Sequence, residues 1–278
     1  MSTKEQVSDR ASQTPENPAF RATYGYLRAA VVVLVVMLAA AVLLDTVLIG
    51  GLRGSISAYY YGSSQTIFVG ALAGIGIAML AYQGNTESED HLLDFSGTMA
   101  FFVATIPTPS DPKVSPDLIS TGVRAVILAF VLAFFANWYL TKRFPFPKEP
   151  LARVGAVAVG LWLVAYGVLV LFNSTLLFKI GHPLAAIPMF VAIVVVAAIN
   201  AFNTKGSIFS GWYIGVAAAI PLGLLAVAFM VWRGSSRGVL WAEVVVIAAF
   251  AVFWIVQTVE LTTQPARTSG PTAPRIAR

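Results

Sequence analysis

Eight apolar stretches, at 27–49, 65–83, 92–107, 119–140, 152–173, 183–202, 211–232 and 239–261, constrain this chain more than anything else in it. Each approaches the roughly 20 apolar residues that cross a bilayer core about 30 Å thick. The breaks between them are short and hold turn formers: Gly50-Gly51, Gly84-Asn85, Pro107-Thr108-Pro109, Pro145-Phe146-Pro147, Gly181-His182-Pro183 and Gly234-Ser235-Ser236. The stretches are too long, and alternate too little, for the strands of a membrane barrel. Backbone groups in lipid must be satisfied within their own segment, so helices are expected. The expected fold is therefore all-α, a polytopic transmembrane helix bundle of eight spans. The third stretch is short and contains Asp94, and as a re-entrant segment it would reduce the count to seven.

Composition agrees. Of 278 residues, 58% are hydrophobic and 11% charged, with a mean hydropathy of +0.78. A soluble domain has roughly 45–50% apolar and about 25% charged residues, so soluble enzyme folds are excluded. The absence of cysteine removes disulfides, thiolate nucleophiles and cysteine metal sites. Two histidines, His91 and His182, are too few for a histidine-rich centre, so neither metal nor cofactor is expected. A net charge of +5 in such a chain points to basic loops beside anionic lipid rather than to nucleic acid. Arginine outnumbers lysine, and Ala and Val dominate the apolar set, a bias of GC-rich bacterial genomes such as those of actinobacteria.

Orientation follows from the basic residues. With the N-terminus inside, twelve Lys and Arg fall in inner segments, five in outer loops, and Arg124 within a span. This predicts both termini in the cytoplasm of a bacterial plasma membrane. Residues 1–25 and 262–278 are expected to be disordered tails flanking a membrane domain at 26–261. The first apolar run exceeds a signal-peptide core and is read as a retained helix.

Ionisable residues within spans are costly and ask for an explanation. Asp45 near the outer end of the first span, Arg124 in the fourth and Glu243 in the eighth fall at one depth. The outer loop with Ser57, Tyr59 and Tyr61 hangs above them, and His182 approaches from the loop before the sixth span. Arg124 is expected to pair with Asp45 or Glu243, leaving one carboxylate for a ligand in an outer-facing pocket. The competing reading is an ion pair that pins helices together beneath an aromatic belt.

A second polar level falls at the inner side, where Glu87, Glu89, Asp90 and His91 lead into Asp94 and Ser96. Asn137, Asn200, Asn203, Gln257 and Glu260 close spans at the same level. Most of these read as solvated helix ends, while Asp94 is expected to face the bundle. Gly70 and Gly74 form a G-x-x-x-G on a small-residue face, suited to packing within the chain or to a homo-oligomer contact.

No phosphate-binding loop, H-E-x-x-H or G-x-S-x-G is present. A multi-histidine zinc lipid hydrolase fails as well, since Ser57-x-x-x-Tyr61 has tyrosine where histidine is needed. The stretches Ser55 to Tyr61, Phe68 to Leu72, Asp94 to Thr108 and Ala251 to Leu261 resemble a group of uncharacterised bacterial multi-pass membrane proteins. That resemblance covers about a third of the chain and implies a polytopic bundle without an assigned activity.

The leading expectation is a non-enzymatic membrane protein, surrounded by lipid, that binds or passes a small polar solute or lipid head group at the outer pocket. One alternative is a lipid-modifying enzyme of the outer leaflet, with Glu243 or Asp45 as acid/base and Ser57 as nucleophile. The other is a structural or assembly partner in the membrane.

Overall fold

The computed structural model describes residues 18–109, 116–143 and 150–263. Lys142, Arg143, Lys148, Arg153 and Asn137, with most of both predicted tails, lie outside what is described of side chains. Eight helices follow in chain order: α1 Pro18–Asp45, α2 Gln65–Ala81, α3 Glu87–Thr105, α4 Pro116–Arg143, α5 Pro150–Phe172, α6 Ser174–Asn203, α7 Ile208–Trp232 and α8 Ser236–Thr263. No strand occurs among the described residues.

The starts of these helices follow their sequence. Pro opens α1, α4 and α5, where a missing N–H costs nothing. Thr86 accepts a hydrogen bond from the Glu89 N–H at 3.2 Å, and Glu87 and Asp90 place negative charge on the first turn of α3. Asn173 caps α6 through the Leu176 N–H at 2.9 Å. That cap corrects one expected boundary. The break falls at Asn173 rather than at Gly181-His182-Pro183, and α6 runs unbroken through Pro183 and Pro188. Neighbouring helices take up the disturbance: Tyr166 of α5 donates to the Gly181 carbonyl at 2.9 Å, and His182 Nδ1 meets the Ile106 carbonyl at 2.7 Å.

The helices alternate in direction. At one end, here the loop end, the last turn of α1, the segment 51–64, Thr108 and the start of α8 meet. At the other, the terminal end, Arg28, Tyr82, Glu89, Asn200, Tyr213 and Glu260 meet. α3 is the most enclosed helix, packing against α2, α4, α5 and α6, while α8 packs against α7 and α1. Phe102 of α3 stacks on Tyr166 of α5 at 4.0 Å between centroids.

Among the described residues, six helices are long and apolar enough to cross a membrane, beginning with Ala22–Gly50 and ending with Ser236–Thr263. Of the expected eight, α2 and α3 fall short of that standard. α2 has 17 residues, about 25 Å of helix. α3 has 19 residues and carries Glu87, Glu89, Asp90 and Asp94. It nevertheless runs the length of the bundle, with Glu89 beside α8's last turns and its far end leading to Thr108 beside Ser57. Enclosure explains its polarity, because neighbouring helices rather than lipid cover most of it.

The small-residue face of α2 is used within the chain. A side chain at Gly74 would reach Leu34 of α1 at 2.9 Å, whereas Gly70 is exposed with open space around it. The tightest approach is between Gly76 of α2 and Gly97 of α3, where a Cβ on Gly97 would lie 2.8 Å from the Gly76 carbonyl oxygen. Backbone cannot swing aside as a side chain can. Gly97→Val is therefore expected to destabilise the protein by about 1–3 kcal/mol in thermal unfolding. Gly70→Val, with equal β-branching but no neighbour, should cost far less, and equal losses would show that the α2–α3 approach is not the cause.

Candidate functional site

At the loop end, α1 closes in a π-helical turn, Thr46–Gly50, and the chain reverses through Gly50 and Gly51 at φ of 97° and 95°. That left-handed backbone is open to glycine at little cost. The reversal brings the following segment back over Asp45, which is 5% exposed. Asp45 accepts hydrogen bonds from Ser63 at 2.7 Å and Ser64 at 3.2 Å, and its ion-pair partner is Arg53 at 3.5 Å. A Cβ on Gly62 would come within 2.5 Å of the Arg53 guanidinium and 2.8 Å of the Asp45 carboxylate, so only glycine leaves room for this pair.

Arg124 is elsewhere. It is exposed on α4, which packs on α3, α5 and α6, and it makes no ion pair among the described residues. The expected Arg124 pairing is thus replaced by Arg53, because α1 and α8 are remote from α4. Glu243, from α8, caps the same segment by accepting the Ile56 N–H at 2.5 Å. Tyr59 is wholly buried, its hydroxyl 2.6 Å from Thr46 Oγ1, with Arg53 over its ring. Ser57 shares a hydrogen bond with Thr108 at 2.5 Å, and Tyr61 donates to the Thr108 carbonyl at 2.9 Å. Asp45, Glu243, Ser57, Tyr59 and Tyr61 are therefore brought together, and their contacts fasten the 51–64 segment onto the bundle.

The terminal end is built differently. Asp94, expected to face the bundle, has a side chain 41% exposed beside His91, while Ser96 is buried and donates to the Met189 carbonyl at 3.2 Å. Of the residues read as solvated helix ends, Glu87 and Asn203 are exposed and Asp90 is half-buried, whereas four others are enclosed. Glu89 and Gln257 are 0% exposed, Asn200 1% and Glu260 2%. Glu89 Oε1 accepts from Gln257 Nε2 at 2.6 Å and from Asn200 Nδ2 at 3.1 Å, and its Oε2 accepts the Asn85 N–H at 3.0 Å. All of these donors are neutral, and among the described residues no cation lies within ion-pair distance of Glu89. Beside it, Arg28 of α1 donates to the Tyr82 hydroxyl at 3.3 Å, and Tyr213 of α7 donates to Glu260 at 2.7 Å. Tyr82 and Trp254 meet edge to face at 5.5 Å, with the Arg28 guanidinium over the Tyr82 ring.

Three buried polar atoms in this centre have no partner: Arg28 Nε, Trp254 Nε1 and Gln257 Oε1. Buried polar atoms are nearly always bonded, so such a group of exceptions asks for a cause. Outside the centre, the α2–α3 turn borders an open surface pocket of about 240 Å³ lined by Gln83, Gly84, Asn85, Thr86, Glu87 and Asp90. Asn85 belongs to both: it lines the pocket and its N–H holds Glu89. His91 approaches Glu87 at 3.8 Å and Asp94 at 4.0 Å, both on its own helix.

Compared with known proteins, the chain matches no family model, no curated protein and no solved structure. The site is therefore argued from its own geometry.

The loop-end contacts predict a clear separation between two charged residues. Asp45→Ala leaves Arg53, Ser63 and Ser64 without their acceptor and should cost about 1–3 kcal/mol, with faster proteolysis after Arg53. Arg124→Ala should stay within about 0.5 kcal/mol of the wild type. Equal losses in thermal unfolding would show that Arg124 does share in the fastening.

Proposed function

We propose that this chain is an integral membrane protein that spans the bilayer eight times, with both termini in the cytoplasm. In this reading it takes up a small cationic or protonatable polar solute from the cytoplasmic side. Six long apolar helices, the alternating helix directions and the basic residues gathered at the terminal end support the topology. The observation that carries the function is Glu89. Its carboxylate is fully buried, is held by neutral donors from the α2–α3 turn, α6 and α8, and lies directly behind the pocket of about 240 Å³.

An ionised carboxylate in a dry interior is expensive unless a positive charge accompanies it. Arg28 donates to Tyr82 and forms no ion pair with Glu89, so in this reading the partner for Glu89 comes from outside the chain. Glu87 and Asp90 line the approach and raise the local concentration of cations there. The outer carboxylates are poorer candidates, since Asp45 and Glu243 are both committed to the 51–64 segment. The solute site thus moves from the expected outer pocket to the inner polar centre.

The lack of cysteine makes the topology directly testable. Single cysteines at Ser2 and Thr268 should react with a membrane-impermeant maleimide only after cells are opened, and one at Leu52 should react in intact cells. Labelling of Thr268→Cys in intact cells would refute the orientation.

The solute reading predicts a thermal shift. Purified protein titrated with small alkylammonium and guanidinium compounds should unfold at higher temperature, by about 2.7 kcal/mol of stabilisation at a hundredfold excess over Kd. Glu89→Gln should abolish the shift and Glu243→Gln should retain it. A shift that survives Glu89→Gln, or no shift with any cation of pocket size, would reject the reading.

A further inference from the structure

The same centre supports a second conclusion, which builds on the solute site read above but concerns the protein with nothing bound. Glu89 and Gln257 expose no surface to water, either from outside or from any enclosed void. The hydrogen-bond donors to the Glu89 carboxylate include the side-chain amides of Gln257 and Asn200 and the Asn85 N–H, all neutral. Next to it Gln257 Oε1, on the very amide that holds Glu89, is an acceptor without a donor. The centre is thus short of one positive charge at the carboxylate and one donor hydrogen at the amide.

A proton answers the first need, and a turn of the Gln257 amide brings its Oε1 to the new O–H. We propose that Glu89 carries a proton in the closed protein, and that this proton exchanges with the cytoplasmic side through the pocket of the α2–α3 turn. The step balances as an exchange: the carboxylate takes one proton to become a neutral carboxyl, and rotation of the Gln257 amide replaces its Nε2–H donation to Glu89 by donation of the new O–H to Oε1. The reverse step returns the proton to the pocket, where Glu87 and Asp90 receive it.

The surrounding groups are consistent with this. From α1 the facing charge is Arg28, held by Tyr82 and outside ion-pair distance of Glu89. The chain after α2 brings Tyr82, α7 brings Tyr213 and α8 brings Glu260, which takes the Tyr213 hydroxyl. α6 brings Asn200, which does not titrate. On α3 itself, Asp90 turns away to accept the Gly84 N–H at 3.1 Å. The pocket lies on the Asn85 side, where Asn85 both lines it and holds Glu89.

Infrared spectroscopy of the purified, unliganded protein in nanodiscs tests the proposal. The wild type should show a protonated-carboxyl stretch at pH 7 that Glu89→Gln removes and Glu243→Gln and Glu260→Gln retain. Glu89→Asp should shift that band rather than delete it, which guards against loss through misfolding. Transfer to heavy water should move the band to its deuterated position, and faster in Thr86→Ala, which loosens the α2–α3 turn. A spectrum without the band at pH 7, or a band untouched by both Glu89 variants, would overturn the proposal. The readout needs no solute. A failed thermal shift with an intact band would remove the solute reading alone, and an absent band with an intact shift would remove the proton alone.

Discussion

A polar group inside a membrane bundle can turn only to its neighbours, because lipid offers neither donor nor acceptor. The two ends of this protein meet that constraint in opposite ways. At the loop end, charge meets charge: Asp45 has Arg53 and two serine hydroxyls, and Glu243 has a backbone N–H to cap. At the terminal end, Glu89 has only neutral donors, and three neighbouring polar atoms have nothing. Satisfied networks rigidify, while a partly satisfied one costs free energy that something else has to offset.

That cost is concentrated on α3, and its position explains how it is borne. A helix with Glu87, Glu89, Asp90 and Asp94 in its first two turns would be a poor lone span. Surrounded by α2, α4, α5 and α6, it meets protein along most of its length. Gly76 and Gly97 let α2 approach closely enough to shield it, and Ser96 fixes it to α6 through the Met189 carbonyl. The short, polar and central helix is held in place by its longer apolar neighbours.

Much of the fold was legible in the apolar stretches, whose lengths and breakers locate eight helices. Where the reading slipped, local signals were overridden by tertiary ones. Gly181-His182-Pro183 looks like a break, but Asn173 supplies a better cap and Tyr166 takes the Gly181 carbonyl. Arg124 shares a depth with Asp45 and Glu243, and depth along a helix says nothing of which neighbour it faces. The inner centre was hidden for the reverse reason. Gln257 and Glu260 look like polar helix ends, yet they continue the buried stripe of Phe250, Phe253 and Trp254 at helical spacing. Asn200 likewise extends the stripe of Ile193, Val196 and Ala197 on α6. The signal was periodicity, carried by polar side chains where apolar ones are usually counted.

The asymmetry between the ends also bears on where such a protein can open. Lifting the 51–64 segment would break the Asp45–Arg53 pair, the Glu243 cap on Ile56 and the links from Ser57 and Tyr61 to Thr108 in one step. Opening the α2–α3 turn breaks less. The Asn85 N–H must leave Glu89, the Thr86 cap must loosen and Gly84 must leave Asp90, all within seven residues of backbone. Motion in a packed bundle concentrates where the fewest buried contacts are lost. By that measure the loop end is the fixed point of the structure, and the terminal end, where the unpartnered groups already lie, is the place at which exchange with the surroundings disturbs it least.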